Sequence, residues 1–187
     1  MAKEFTIGSG GDVIAFLKAQ HLQVKAQFER VLESRGSSRA QAFQELRRLL
    51  AVHETAEEEI VHPAARRSLP NGEAIVTARL KEENQAKTAL ASLEKIDTGA
   101  PEFDTQIRAL QTAVIAHAES EEREEFAKLE HKLDPKQLQM MRKAVHFAES
   151  VAPTHPHPGV ESATANILAG PFVSMIDRAR DALTGKA

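Results

Sequence analysis

The sequence contains no cysteine, no tryptophan and no tyrosine. Without cysteine the chain can form no disulfide, thiolate nucleophile, iron–sulfur cluster or zinc knuckle, and nothing marks an oxidising compartment. Phenylalanine, with eight copies, is the one large aromatic residue present, and alanine, leucine, glutamate, lysine, glutamine and arginine dominate. Helices favour this composition and strands do not. The sequence therefore excludes an all-β fold and predicts an all-α protein.

The chain also lacks an excess of charge of one sign. Its 24 basic and 27 acidic residues give a net charge of −3, so the electrostatic footprint of nucleic-acid binders and membrane-surface proteins is missing. The longest unbroken apolar run covers only residues 13–17, and the first residues do not form the basic start and apolar stretch of a signal peptide. We expect a cytoplasmic protein without a nucleic-acid or membrane partner.

Four segments repeat apolar residues at spacings of three and four, which is typical of amphipathic helices. Asp12 is the predicted N-cap of the first, and Ser37 or Ser38 of the second. The predicted helices cover about residues 12–34, 37–62 or one turn beyond, 72–97 and 101–133. Connections of roughly three to eight residues make neighbouring helices antiparallel. The sequence thus predicts an up-down-up-down four-helix bundle.

The predicted bundle spans residues 10–134, and residues 135–187 form a C-terminal extension. This extension begins with a fifth helix at about residues 136–149 and continues through a proline-rich, extended segment. A final helix is predicted to start at Pro171, with Phe172, Ile176 and Leu183 on one side. Because that apolar side must be covered, we expect the extension to pack on the bundle.

Six polar residues interrupt the apolar stripes of the four helices. They are His21, His53, Glu57, Glu83, His117 and Glu121. Each residue of a helix adds about 1.5 Å of rise, and with antiparallel neighbours all six fall in one layer of the bundle. The His-x-x-x-Glu spacing occurs twice, at 53–57 and 117–121, and puts an imidazole and a carboxylate one turn apart on the same face.

Three carboxylates in one buried layer are costly unless their charge is neutralised. The stripes supply one evident cation, Lys87, four residues after Glu83. A bound metal removes the cost, and oxygen and nitrogen donors without sulfur suit iron or manganese, with zinc as a substitute. Six donors from four helices suit two ions bridged by a carboxylate. The competing interpretation, satisfied polar residues in the core, is the better one for any of these residues taken alone.

The segments AVHETAEEEIVHP at residues 51–63 and IAHAESEE at residues 115–122, with a histidine on the first helix, resemble the hemerythrin-type HHE cation-binding domain. The resemblance covers about residues 10–134. It implies a four-helix bundle with a non-heme di-iron centre. The ligands that it carries over are His21, His53, Glu57, His117 and Glu121.

The third helix departs from the pattern of the family, whose members usually offer histidine there, often as Glu-His. This chain reads LKEENQ at residues 80–85. Glu83 continues the stripe of Val76 and Leu80, so periodicity assigns Glu83 to the vacant position, with Asn84 as the alternative ligand.

The other histidines and the remaining glutamates have more ordinary interpretations. His62, His131 and His146 are expected to cap helices or to be solvated, and His155 and His157 to lie in a surface turn. The glutamate run at residues 119–125, beyond Glu121, is expected to form a solvated face.

The resemblance implies chemistry of dioxygen, nitric oxide or peroxide, since family members include oxygen carriers, sensors and peroxide-consuming proteins. Glu83 in place of a neutral imidazole adds one negative charge, which stabilises ferric iron and lowers its reduction potential. We therefore expect a reaction with peroxide or dioxygen, such as catalase-like peroxide removal. The alternative is a protein that binds or senses O2 or NO reversibly without turnover.

Overall fold

The computed structural model describes residues 11–151 of the 187-residue chain, and this part contains five helices and no strand. The helices α1, α3 and α5 are Val13–Glu33, Gly72–Leu93 and Pro135–Val151. Helix α2 runs through Gly36–Ala56, a π-helical turn at Glu57–Val61, and His62–Ser68. Helix α4 runs through Pro101–Glu121, a π-helical turn at Glu122–Phe126, and Ala127–Lys132. The all-α prediction is confirmed, and the predicted helix at Pro171 lies outside the described residues.

The helix starts follow from local chemistry. Asp12 caps α1 as predicted, because its Oδ1 accepts a hydrogen bond from the backbone N–H of Ala15 at 3.0 Å. The predicted serine cap of α2 is wrong, since α2 begins at Gly36 and the cap position is Arg35, whose side chain makes no capping bond. Gly36 has a φ of +54°, a conformation that glycine takes without steric penalty, and this lets the helix start before the serines.

Helices α1 to α4 pack as the predicted antiparallel bundle. Helix α1 lies against α2 and α4, the last part of α2 lies against α3, and α3 lies against α4. None of the helices in residues 11–151 is both long and apolar enough to cross a membrane.

The bundle core is divided into two apolar clusters. The first contains Phe28, Phe43, Leu46, Phe103 and Leu110. The second contains Leu17, Ile60, Val76, Phe126 and Leu129. On each of α1 to α4 most of the buried residues between the two clusters are polar, and we call this band the polar layer. It includes His21, His53, Glu57, Glu83 and Glu121.

The two π-helical turns start at or directly after a glutamate of the polar layer. In α2 the N–H of His62 donates to the carbonyl of Glu57, and in α4 the N–H of Ala127 donates to that of Glu122. Each bond spans five residues rather than four, so all later residues of that helix point to a different side than they would in a regular helix. At about 100° per residue, an uninterrupted helix would put His62 on the face opposite His53. The π-helical turn instead buries His62, which is 1 % exposed.

Helix α5 adds its apolar face to the second cluster. Leu138, Met141 and Val145 are buried there, with Ile14 of α1 and Ile60 of α2 in the same cluster. The fifth helix therefore shares its hydrophobic core with the bundle.

Met141 tests this role of α5, because its side chain is 0 % exposed. The variant Met141→Ala is expected to lower the free energy of unfolding by about 2–5 kcal/mol, since it leaves a cavity in the core. Lys143→Ala, on the exposed side of α5, is the matched control and is expected to change stability by less than about 0.5 kcal/mol. Denaturant unfolding followed by circular dichroism measures both. Equal stability of the two variants would contradict the shared core.

Candidate metal centre

Four side chains of the polar layer form a first group of donor atoms. His21 Nε2 lies 3.4 Å from Glu121 Oε2 and 3.9 Å from Glu57 Oε1. His53 Nε2 lies 3.2 Å from the other oxygen of Glu57, Oε2. One donor atom from each of the four residues lies within 4.8 Å of the others, and all four residues are buried. Helices α1, α2 and α4 thus direct two imidazoles and two carboxylates at one point.

A second group lies beside the first and shares one residue with it. It consists of His62, Glu83 and Glu121, again with donor atoms within 4.8 Å of one another. His62 Nε2 lies 2.7 Å from Glu83 Oε1. His117 Nε2 lies 3.3 Å from Glu121 Oε1, whereas Glu121 Oε2 faces His21. The carboxylate of Glu121 therefore has one oxygen toward each side of the centre, as a bridging ligand would.

Many of these buried donor atoms have no hydrogen-bond partner among the described residues. They are Nε2 of His21 and His117, both oxygens of Glu57 and Glu121, and Oε2 of Glu83. An unsatisfied buried carboxylate oxygen is costly, and several of them converging on one place need a cation. Oxygen and imidazole donors without sulfur are a set that iron, manganese and zinc accept. The residues present therefore fit a bound metal.

His62 is not the solvated or capping residue that the sequence predicts. Its Nε2 contacts Glu83, and its Nδ1 lies 2.9 Å from Glu125 Oε1. A uniform helical period could not find it, because the π-helical turn that brings it inward has no signature in the spacing of the apolar residues. The one available signal was its place in the segment that carries the resemblance.

Glu83 and Asn84 differ clearly in position. Glu83 is 1 % exposed and belongs to the second group, whereas Asn84 is half-buried on the adjoining face of α3. The structure therefore places Glu83, and not Asn84, among the clustered donor atoms.

The remaining predictions for histidines and glutamates have mixed outcomes. His131 and His146 are exposed, while residues 155 and 157 lie outside the described part of the chain. The expected solvated face at residues 119–125 is wrong in part. Glu125 is 0 % exposed, and Glu122 contacts a buried histidine.

Each of the four imidazoles of the centre has its second nitrogen held by an outer side chain. The pairs are His21 Nδ1 with Glu122 Oε1 at 2.8 Å, His53 Nδ1 with Gln20 Oε1 at 3.0 Å, His62 Nδ1 with Glu125 Oε1 at 2.9 Å, and His117 Nδ1 with Glu82 Oε2 at 2.9 Å. Carboxylate and amide oxygens only accept, so a neutral imidazole here carries its hydrogen on Nδ1 and presents the lone pair of Nε2 inward. Histidines that ligate metals are usually oriented in this way.

Burial and neighbouring charges set the protonation of the metal-free centre. Burial lowers the pKa of His53 to about 3, so this imidazole is neutral. Burial and the charge of Glu121 raise the pKa of Glu57 to about 8. Burial opposes the charged form of His21, but the contacts with Glu121 and Glu57 outweigh it and raise the pKa to about 10. Protons therefore neutralise part of the buried charge when no metal does.

A cavity of about 160 Å³ reaches the centre between α1, α2 and α4. Three imidazoles line it, from His21, His53 and His117. Much of the remaining wall is apolar and comes from Leu22, Val24, Leu50, Val114 and Ile115. Leu22 is 68 % exposed, so the cavity mouth lies at the bundle surface. Lys25, Glu54, Glu119 and Glu122 add charged groups to the lining, but most of its surface is apolar and suits a small uncharged molecule.

Comparison with known proteins agrees with this geometry. The family model described as the hemerythrin HHE cation binding domain matches residues 12–129. The chain belongs to the hemerythrin HHE family. The predicted family resemblance and the predicted hemerythrin-like bundle fold are thereby confirmed, and the chain contains a hemerythrin-like metal-binding domain.

Two individual proteins are similar to this HHE chain. The crystal structure of an HHE cation binding domain-containing protein from Mycobacterium kansasii superposes with a TM-score of 0.67 at 19 % identity. The match covers 91 % of this chain and 99 % of that one, and it supports the fold. A DNA nickase from Nostoc sp. is 27 % identical over 135 residues, which are 72 % of this chain and 38 % of the nickase. The chain thus spans well under half the length of that relative.

Metal binding by this HHE domain is expected to stabilise its fold, because a cation compensates buried carboxylate oxygens that otherwise lack a hydrogen-bond partner. A free metal concentration about a thousandfold above Kd adds about 4 kcal/mol to the free energy of unfolding. Thermal unfolding with and without a chelator measures the effect. Glu121→Gln, which changes the residue shared by both groups, should abolish most of the shift, and the exposed variant His131→Gln should retain it. A wild-type protein whose thermal unfolding does not change with metal would refute the assignment of these residues to a metal centre.

Proposed function

We propose that this domain holds two iron ions and reacts with peroxide or dioxygen, with catalase-like peroxide removal as the favoured reaction. The observation that carries the proposal is the pair of donor groups that share Glu121 and adjoin a small, largely apolar cavity. Two adjoining groups suit two ions better than one, and zinc or manganese could substitute for iron at such donors.

The proposed ligands divide between the two ions. His21, His53, Glu57 and Glu121 hold the first ion. His62, Glu83, His117 and Glu121 hold the second. In this assignment His62 supplies to the second ion the imidazole that α3 does not offer. Adding His62 extends the predicted set of six ligands to seven.

The bound irons would supply Lewis-acid and redox chemistry. The residues of this chain position them and control access. Glu121 would help to hold both ions, since its two oxygens lie near different histidines, and Glu57 has its oxygens toward His21 and His53. Leu50 and Val114 form part of the apolar wall of the cavity, which leaves room for an uncharged molecule the size of peroxide or dioxygen.

Peroxide disproportionation suits a site of this kind because it needs no other reactant. One peroxide is oxidised to dioxygen and gives up two electrons and two protons. A second peroxide takes up both and is reduced to two waters, so no redox partner is required. Cysteine is absent from the chain, so thiol-based peroxide reduction has no candidate residue.

The charge of the site favours this reaction over reversible oxygen carriage. Glu57, Glu83 and Glu121 give three carboxylates, one more than the two that the family resemblance implies. The added negative charge stabilises ferric iron and lowers the reduction potential, which disfavours a stable reduced form in air. The alternative function, reversible binding or sensing of O2 or NO, needs that reduced form to persist.

The two-ion proposal predicts that His62→Ala lowers the iron content from two ions per chain toward one, because it removes an imidazole from the second group and leaves the first intact. Elemental analysis after anaerobic reconstitution measures the content. His131→Ala, an exposed histidine, is the matched control and should keep two ions. Full iron content in His62→Ala would exclude His62 as a ligand, whereas one ion in the wild type would exclude a two-iron centre.

The proposed reaction predicts a specific effect of Glu83→His. Replacing the third carboxylate by an imidazole should raise the reduction potential and slow peroxide removal by about tenfold or more. Oxygen evolution from peroxide and spectroelectrochemical titration measure the two quantities in wild type and variant. Reversible oxygen uptake by the reduced wild type, with no peroxide removal above that of free iron, would establish the alternative function instead.

A further inference from the structure

The Nδ1 partner of His53 differs in kind from those of His21 and His117. Glu122 and Glu82 present carboxylates, which can only accept a hydrogen bond. His53 instead faces the side-chain amide of Gln20. An amide has an accepting end and a donating end, so Gln20 alone does not determine which nitrogen of His53 carries the hydrogen.

The other end of the Gln20 side chain removes this ambiguity. Gln20 Nε2 donates to Glu149 Oε1 of α5 at 2.5 Å, and Gln20 is 5 % exposed. The carboxylate of Glu149 cannot donate, so Gln20 must turn its NH2 group toward α5 and its oxygen toward His53. That oxygen only accepts, so a neutral His53 that makes this hydrogen bond carries its hydrogen on Nδ1. Its Nε2 then presents a lone pair to Glu57, 3.2 Å away, where the proton of Glu57 or a cation separates the two acceptors.

We infer that Glu149 is a positioning residue of the metal centre: acting through Gln20, it selects the tautomer of His53 that presents Nε2 to the cation. Glu149 lies on α5, beyond residues 12–129 that match the family model. Helix α5 thus contributes to the centre as well as to the core. The inference rests on the proposed role of His53 as a ligand and is independent of the reaction proposed for the irons.

A purely structural role for the Gln20–Glu149 hydrogen bond would be to attach α5 to α1. Loss of that attachment lowers stability whichever nitrogen of His53 is protonated. The position of the hydrogen on His53 therefore separates the two roles, and stability does not.

The first experiment records 15N spectra of histidine-labelled, metal-free protein at neutral pH. In the wild type His53 should show a protonated Nδ1 and an unprotonated Nε2. Glu149→Leu leaves the Gln20 amide free to turn, so a substantial Nε2-protonated fraction should appear. Lys143→Leu, an exposed position of the same helix, is the control and should leave the spectrum unchanged.

The second experiment measures the zinc affinity of the same proteins by competition with a chelator. Glu149→Leu should bind zinc about tenfold more weakly, because part of the population presents the wrong nitrogen. Gln20→Glu alone puts two carboxylates against each other and should also weaken binding. The double variant Gln20→Glu, Glu149→Gln exchanges the amide and the carboxylate. The carboxylate at position 20 then accepts hydrogen bonds from His53 Nδ1 and from the amide at position 149. It should recover most of the wild-type affinity and the Nδ1-protonated spectrum.

Two results would overturn the inference. One is an unchanged His53 tautomer in Glu149→Leu. The other is a double variant that regains stability in denaturant unfolding without regaining zinc affinity, which would leave only the structural role. A wild type that binds no zinc or iron would instead refute the proposed metal centre, and the spectra of the metal-free protein would still decide the tautomer.

Discussion

The structure depends on one electrostatic constraint, the burial of several carboxylates in a layer between two apolar clusters. Glu57, Glu83 and Glu121 are each at most 1 % exposed. Their charge must be compensated inside the bundle, since no water reaches most of their oxygens. Imidazoles, protons or metal ions can all do this, and the first two are what the metal-free chain uses. The unpaired oxygens that remain are the reason to infer a metal.

The same constraint explains the π-helical turn in α2. A regular α2 would turn His62 away from the layer, and Glu83 would then lose the imidazole that contacts it. The π-helical turn at Glu57–Val61 uses one extra residue to bring His62 to Glu83. Helices with such turns are less regular than the sequence pattern suggests, and π-helical turns are frequent at functional sites.

The π-helical turn and the long-range contacts explain which parts of the fold and the site the sequence alone could predict. Apolar periodicity, turn residues and short connections predicted the helices and their antiparallel order, because these depend on local chemistry and on burial of one face. The stripe interruptions at His53 and His117 identified the layer, since a polar residue on an apolar face is visible in one dimension. His62 could not be found in this way, and neither could Gln20 or Glu149. Their roles depend on a change of helical period and on contacts across 129 residues of chain.

The two donor groups also lie in different surroundings. Beside the second group lies Lys87, whose Nζ contacts Glu58, lies 3.7 Å from Glu54 Oε2 and lies 3.9 Å from Glu83 Oε2. This buried, charged cluster lies beside Glu83. The cavity borders the imidazoles of His21, His53 and His117, and also Glu54 of this cluster. Glu83 does not line the cavity, so a small molecule that enters it would meet the imidazoles before the carboxylate of Glu83.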